Sequence, residues 1–176
     1  MNWKKIKSKI VLQTPWIKVV QDDVILPNGN KGKYTYVRRT EGVGLIVRVD
    51  GKVFLVNQYR YPTGKSMLQF PFEGLEEGEN EKDGALRCAS EELGIAITNL
   101  KQIGFAYVDA GLNTQKITYF SADYAGNKEA TTFDETEDLE IKKLGITELS
   151  NMIKSGEIED FHTIVGIDYL LDSIQQ

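Results

Sequence analysis

Cysteine and histidine are nearly missing from this chain: Cys88 is its single cysteine and His162 its single histidine. One thiol cannot close an intrachain disulfide, and the pair cannot supply the four ligands of a structural zinc site. A reducing compartment suits such a chain, so a cytoplasmic location is expected. Long apolar runs are also missing. The opening MNWKKIKSKIVLQTPW carries lysines with no hydrophobic stretch behind them, which reads as neither a signal peptide nor a membrane span. Positive charge is in deficit, with 21 Lys and Arg against 26 Asp and Glu and a net charge of −5. That balance disfavours an extended nucleic-acid partner, which needs a basic surface. A small phosphate compound remains admissible, because a divalent cation can bridge acid to acid.

What is present describes an ordinary folded domain. Hydrophobic residues make up 41% and charged residues 27% of 176 residues, enough to bury a core without crosslinks. Residues 10–20 and 22–27 are rich in β-branched side chains, and Pro27-Asn28-Gly29-Asn30 marks a turn. Residues 33–39 alternate as a half-exposed strand does. We read residues 1–40 as an antiparallel β subdomain and 41–176 as the main domain. Val43–Val47 and Val53–Val56 flank Asp50-Gly51, the clearest hairpin signal in the chain. Residues 73–79 read as an acidic glycine loop. Asn80 as N-cap and Gly94 as C-terminal stop predict a helix of about 13 residues between them. Strands are expected at 103–108 and 117–122, a polar loop at 126–138, and helices near 147–155 and 161–175. The element order indicates a layered α/β domain of the α+β mixed kind.

The chemistry concentrates between residues 73 and 92. Eight carboxylates (Glu73, Glu76, Glu77, Glu79, Glu81, Asp83, Glu91, Glu92) face two cations, Lys82 and Arg87. A solvated acidic face is the bland account of such a run. Two features weigh against it. The acids run from a glycine loop into a capped helix, and Glu91-Glu92 stand at that helix's C-terminus, where the macrodipole disfavours negative charge. A hard divalent cation such as Mg²⁺, bound through oxygen, would offset that cost.

Here the chain resembles a known family. Glu79, seven residues, then Arg87-Cys88-Ala89-Ser90-Glu91-Glu92-Leu93-Gly94-Ile95 falls without a gap into the box of the Nudix hydrolases. Pro71–Glu79 is similar to the loop that leads into that box. Gln58-Tyr59-Arg60-Tyr61-Pro62, Thr14-Pro15-Trp16-Ile17 and Asp160-x-x-Thr163 resemble its ADP-ribose and nucleoside-diphosphate-sugar pyrophosphatase branch. The resemblance implies a Nudix fold, with a mixed sheet between helices. It also implies a homodimer assisted by the N-terminal β subdomain, and cleavage of a pyrophosphate such as that of ADP-ribose with Mg²⁺ or Mn²⁺.

By the same resemblance Glu92 and Glu91 are metal-ligand candidates, beside the Phe72 carbonyl, and Arg87 orients the carboxylates. Arg60 is placed for a substrate phosphate and Trp16 for a nucleobase. Glu135 and Glu137, in the acidic stretch 134–138, are candidates for the catalytic base. Three positions depart from the family pattern. Cys88 stands where a glutamate follows the arginine, Glu73 replaces the first box glycine, and Gln115 replaces a glutamate. On a helix Cys88 lies about 40° from Glu92 and about 60° from Glu91, in the middle of the carboxylate face. A thiol there is a poor ligand for Mg²⁺ and reads as a small neutral filler. Glu73 has two readings: an exposed loop acid, or a carboxylate that reaches the gap left at Cys88. A catalytically silent module that binds a nucleotide or a protein is the alternative function.

Overall fold

The computed structural model describes residues 2–128 and 139–175. The chain divides into two compact units, Met1–Glu41 with Ala106–Ile117, and Gly42–Phe105 with Thr118–Gln176.

The first unit is built on an antiparallel sheet in the order β1-β2-β3: β1 (Lys4–Gln13), β2 (Lys18–Ile25) and β3 (Lys31–Arg38). Val20 and Val24 of β2 turn inward, as period-two alternation dictates. All ten residues of the edge strand β1 are exposed, including Ile6, Ile10, Val11 and Leu12. The segment around Gly111–Gln115 docks on β3. Val37 N–H donates to the Leu112 carbonyl at 2.8 Å, Thr114 N–H donates to the Val37 carbonyl at 3.1 Å, and Tyr34 Oη donates to the Gly111 carbonyl at 2.6 Å. Gln115 is buried there. The unit therefore includes a stretch well beyond residue 40.

The second unit holds a seven-stranded sheet: β4 (Gly42–Val49), β5 (Lys52–Arg60), β6 (Lys65–Gln69), β7 (Phe72–Gly74), β8 (Ile95–Tyr107), β9 (Lys116–Asn127) and β10 (Leu139–Gly145). Its central path runs β10-β5-β4-β9-β8, with β6 paired to β5 and β7 to β4. The β4–β5 turn is the expected one. Asp50 and Gly51 have φ of 48° and 74°, the left-handed pair that a two-residue hairpin demands.

Both faces of β4 and β5 are covered. Val43, Leu45, Val47, Phe54 and Val56 pack with Ala85, Cys88 and Ala89 of helix α1 (Glu81–Leu93). Ile46, Val53 and Leu55 face the other way, onto Leu149 of α2 (Ile146–Ser155) and Ile167 and Leu170 of α3 (Phe161–Gln175). A strand buried on both sides reads as a continuous apolar run, as Val53–Val56 does. Each fully buried side chain of this kind contributes about 1.5–3 kcal/mol. The sheet between helices is the layered architecture expected from the sequence.

Three expectations need correction. Glu73 and Gly74 are not loop residues but part of β7, with Val43 opposite Glu73. Strand β9 runs to Asn127 into the stretch expected as loop, and β10 had no counterpart in the sequence reading. These strands are fixed by pairing with distant partners rather than by local signals. The β4–β7 approach is close enough to require glycine at 42. A Cβ there would stand 2.7 Å from the Glu73 carbonyl oxygen and 2.9 Å from the Phe72 ring. Gly42→Ala is expected to destabilise the protein by roughly 1–3 kcal/mol in urea unfolding, and an unchanged midpoint would contradict this packing.

Candidate active site

Helix α1 forms where its punctuation predicts. The Asn80 side chain accepts from Lys82 N–H and Asp83 N–H, both at 3.0 Å. Gly94 closes the helix at φ 65°, its N–H turned back to Ala89 and Ser90 carbonyls. Glu81 and Asp83 favour the first turn, whereas the last turn carries no basic residue and ends on Glu91 and Glu92, against the dipole.

The compensating charge comes from Arg87, whose five N–H groups are all used. Nε and Nη2 form a fork on Glu79, both at 2.9 Å. Nη2 also donates to the Gly74 carbonyl at 2.8 Å, and Nη1 donates to Glu91 at 3.1 Å and to Glu73. A planar guanidinium is the side chain suited to so many acceptors at once. Arg87 thereby ties the loop before α1, the end of β7 and the last turn of the helix into one network. The hydrogen bonds to its guanidinium pull the Glu79 carboxyl down to about 2, with the Glu76 N–H assisting.

Glu73 behaves in the opposite sense. Only 14% of its side chain is exposed. Burial, opposed by Arg87 but reinforced by Glu91 and Glu92, pushes its pKa up to about 8. Cys88 is fully buried. Burial first, then the carboxylates of Glu73 and Glu92, raise its thiol pKa well above the ordinary value. The loop-acid reading of Glu73 is therefore overturned: the carboxyl points inward beside Arg87 and acts on Cys88, Glu91 and Glu92.

This predicts a stability profile with a definite sign. In the unfolded chain Glu73 titrates near the ordinary 4.5, while in the folded metal-free protein it holds its proton up to about 8. Stability is thus greatest below the unfolded value and is lost as pH rises toward the folded one. Urea midpoints of metal-free protein between pH 5 and 8.5 check this. Wild type is expected to decline relative to Glu73→Gln, and parallel profiles would refute the shift.

The other sequence candidates are placed as follows. Phe72 directly precedes Glu73 on β7, opposite Gly44. Arg60 ends β5, half-buried, with Nε donating to Gln69 Oε1 at 2.6 Å. In the first unit Trp16 is 80% exposed and lines a cleft of about 270 Å³ with Arg38 and Arg39. Glu135 and Glu137 lie outside the described residues. His162, given no role from sequence, stacks on the Phe72 ring at 4.6 Å and lies 3.3 Å from the Tyr119 hydroxyl. Sequence reasoning also did not anticipate Glu79 as the fork partner of Arg87, although its place in the box register could have pointed to it.

Among the described residues no group of three or more His, Cys, Asp or Glu side chains is gathered so as to hold a metal ion. Glu73 and Glu91 are turned onto Arg87 instead. The donor set itself suits a hard divalent cation. Glu73, Glu91 and Glu92 offer carboxylate oxygens, and the charges of Glu91 and Glu92 add to burial in raising the pKa of Glu73. The protonated, buried thiol of Cys88 is no ligand for such an ion.

The comparisons with known proteins agree with this geometry. A model described as the nucleoside diphosphate sugar hydrolase N-terminal domain matches residues 3–37, and the NUDIX domain matches residues 38–163. The chain is 31% identical to the methanol dehydrogenase activator of Bacillus methanolicus, over 95% of this chain and 91% of that protein. It is 28% identical to the ADP-ribose pyrophosphatase of Bacillus subtilis (strain 168), with the same coverage. It is also 28% identical to the GDP-mannose pyrophosphatase of Yersinia enterocolitica, over 94% and 93% of the two chains. In structure it is similar to an ADP compounds hydrolase at a TM-score of 0.88 and 17% identity, covering 99% of this chain and 95% of that one, a likeness of fold. With a domain model spanning most of its length and an arginine-centred carboxylate box on α1, the chain belongs to the Nudix family.

Proposed function

We propose that this protein hydrolyses the pyrophosphate of a nucleoside diphosphate derivative, such as ADP-ribose or an ADP-sugar. The observation that carries the reading is the Arg87 network, which holds the box carboxylates Glu79 and Glu91, with Glu73, around one guanidinium. Two of the relatives named above are pyrophosphatases of this substrate class, which supports the same reading.

Water adds to one phosphorus, the bridging P–O bond breaks, and a nucleoside monophosphate and a phosphorylated second moiety leave. Glu73, Glu91 and Glu92, with the Phe72 carbonyl, would hold Mg²⁺ or Mn²⁺. When bound, such a cation neutralises the charge that develops on the phosphoryl oxygens. The family pattern puts a carboxylate at position 88, and in this chain we assign its task to Glu73 across the β7–α1 contact. Arg87 orients these acids, and Arg60 is assigned to a substrate phosphate through its planar fork. Trp16, with Arg38 and Arg39 near it, is assigned to the nucleobase. Glu135 and Glu137 are assigned as alternatives for the base.

A homodimer is part of the reading. Its support is the apolar edge strand β1, where Ile6, Ile10, Val11 and Leu12 are each about half exposed. Light scattering of the purified protein tests it, with twice the chain mass expected. Cytoplasmic residence is proposed from the single buried, protonated thiol. No helix among the described residues is long and apolar enough to cross a membrane.

Turnover of ADP-ribose, ADP-mannose, GDP-mannose and FAD with Mg²⁺ and with Mn²⁺ tests the function. Metal-dependent release of a nucleoside monophosphate is expected from at least one of them. A protein that cleaves none, while a nucleotide raises its melting temperature, would be a silent binding module instead.

A further inference from the structure

A buried chain of hydrogen bonds leads from Arg60 to the start of α3. Arg60 Nε donates to Gln69 Oε1 at 2.6 Å, and Gln69 Nε2 donates to Asp160 Oδ1 at 2.5 Å. The other Asp160 oxygen accepts from Thr163 N–H and Thr163 Oγ1, both at 2.8 Å. Thr163 Oγ1 in turn accepts from Phe70 N–H at 2.9 Å. Gln69, Asp160 and Thr163 are all buried. The direction of the chain is forced. Guanidinium can only donate, so Gln69 must present its oxygen to Arg60, and its amide nitrogen then faces the Asp160 carboxyl. A buried polar chain with every member satisfied is rigid, and a broken one is costly.

Among the described residues, only Nε of the Arg60 guanidinium has a hydrogen-bond partner. The two terminal nitrogens, the part of the fork that suits a phosphate, are left for a ligand. The same helix start holds the strand that carries Glu73, through Thr163 on Phe70 and the His162 ring on Phe72. From this geometry we infer that Gln69 and Asp160 are positioning residues, which hold Arg60 in a fixed pose to receive a substrate phosphate. This inference rests on the phosphate-binding role assigned to Arg60 above. An arginine fixed before binding loses less rotamer freedom on meeting its ligand. The shared anchor also sets that grip relative to the box carboxylates.

A double-mutant cycle between Arg60 and Gln69 tests the inference, using the full chain, ADP-ribose and Mg²⁺. Arg60→Met is expected to raise KM by about ten-fold or more, the weight of one charged hydrogen bond. Gln69→Met should raise KM several-fold with kcat held within about three-fold, and the double variant should be no worse than Arg60→Met alone. Gln69→Glu separates positioning from mere support. It keeps an oxygen for Arg60 but sets a second carboxyl against Asp160, so its melting temperature should fall while its KM rises less than that of Gln69→Met. A strut without a positioning role would instead show KM following melting temperature across both variants, or additive effects in the cycle, and either result overturns the inference. Wild-type KM in Arg60→Met removes the assigned role of Arg60 and the inference with it. Wild-type KM in Gln69→Met, with Arg60→Met impaired, removes the inference alone. If no variant turns over ADP-ribose, the same cycle read as ADP-ribose affinity by calorimetry decides it by the same criteria, and no binding by wild type overturns both.

Discussion

Arg87→Met is expected to unfold with roughly 3 kcal/mol less stability than wild type, because it leaves the partly buried Glu79 carboxylate without its cation and the Glu73 carboxyl without its donor. The side chains of Glu73 and Glu79 are only 14% and 13% exposed, so water cannot replace the guanidinium fully. The loss also removes the hydrogen bond that Arg87 makes to the Gly74 carbonyl at the end of β7. Arg87→Lys should recover only a minor part. Lysine has three donors on one nitrogen and cannot span the fork on Glu79 while still reaching Glu73, Glu91 and Gly74. Urea unfolding at pH 7 reads both variants. A loss under about 1 kcal/mol in Arg87→Met would mean that the network is a solvated surface pairing worth little.

The second large effect is expected in function. Glu73→Gln should lower metal-dependent turnover by about 100-fold or more, since an amide cannot replace a carboxylate toward a hard divalent cation. Its metal-free stability should rise at pH 8, because the buried charge that forms there disappears. Lower activity with higher stability is the signature of a residue held for function at a structural cost. Loss of both together would mark Glu73 as a structural partner of Arg87 only. Full activity in Glu73→Gln would transfer the task to Glu91 and Glu92 without it.

Much of the box was legible because its signals are local. Asn80 and Gly94 bound α1 through their own hydrogen bonds and backbone angles, and Asp50-Gly51 fixed the hairpin in the same way. The pairing of Arg87 with Glu91 then followed from their four-residue helical spacing, whereas the roles of Arg87, Glu91 and Glu92 came from the resemblance of the box to the family's. Glu73 was harder to place. Its strand exists only through pairing with Gly42–Gly44, some 30 residues earlier, and an acid beside a glycine carries no strand signal of its own. His162 and Gln69 illustrate the same limit. His162 meets Phe72 and Tyr119, and Gln69 meets Asp160 as well as Arg60; Phe72, Tyr119 and Asp160 all lie more than 40 residues from the side chains they touch. Roles set by such contacts become visible only once the fold brings them together. The Asp160-x-x-Thr163 pattern was readable as a helix start, but its hold on Gln69 and through it on Arg60 was not.

The central claim is that a carboxylate absent at Cys88 on α1 has been supplied by Glu73 on β7. Mn²⁺ affinity, measured by electron paramagnetic resonance across wild type, Glu73→Gly, Cys88→Glu and the double variant, tests it most directly. The account predicts that Glu73→Gly weakens binding by about ten-fold or more and that adding Cys88→Glu restores it to near the wild-type value. Wild-type affinity in Glu73→Gly would contradict it.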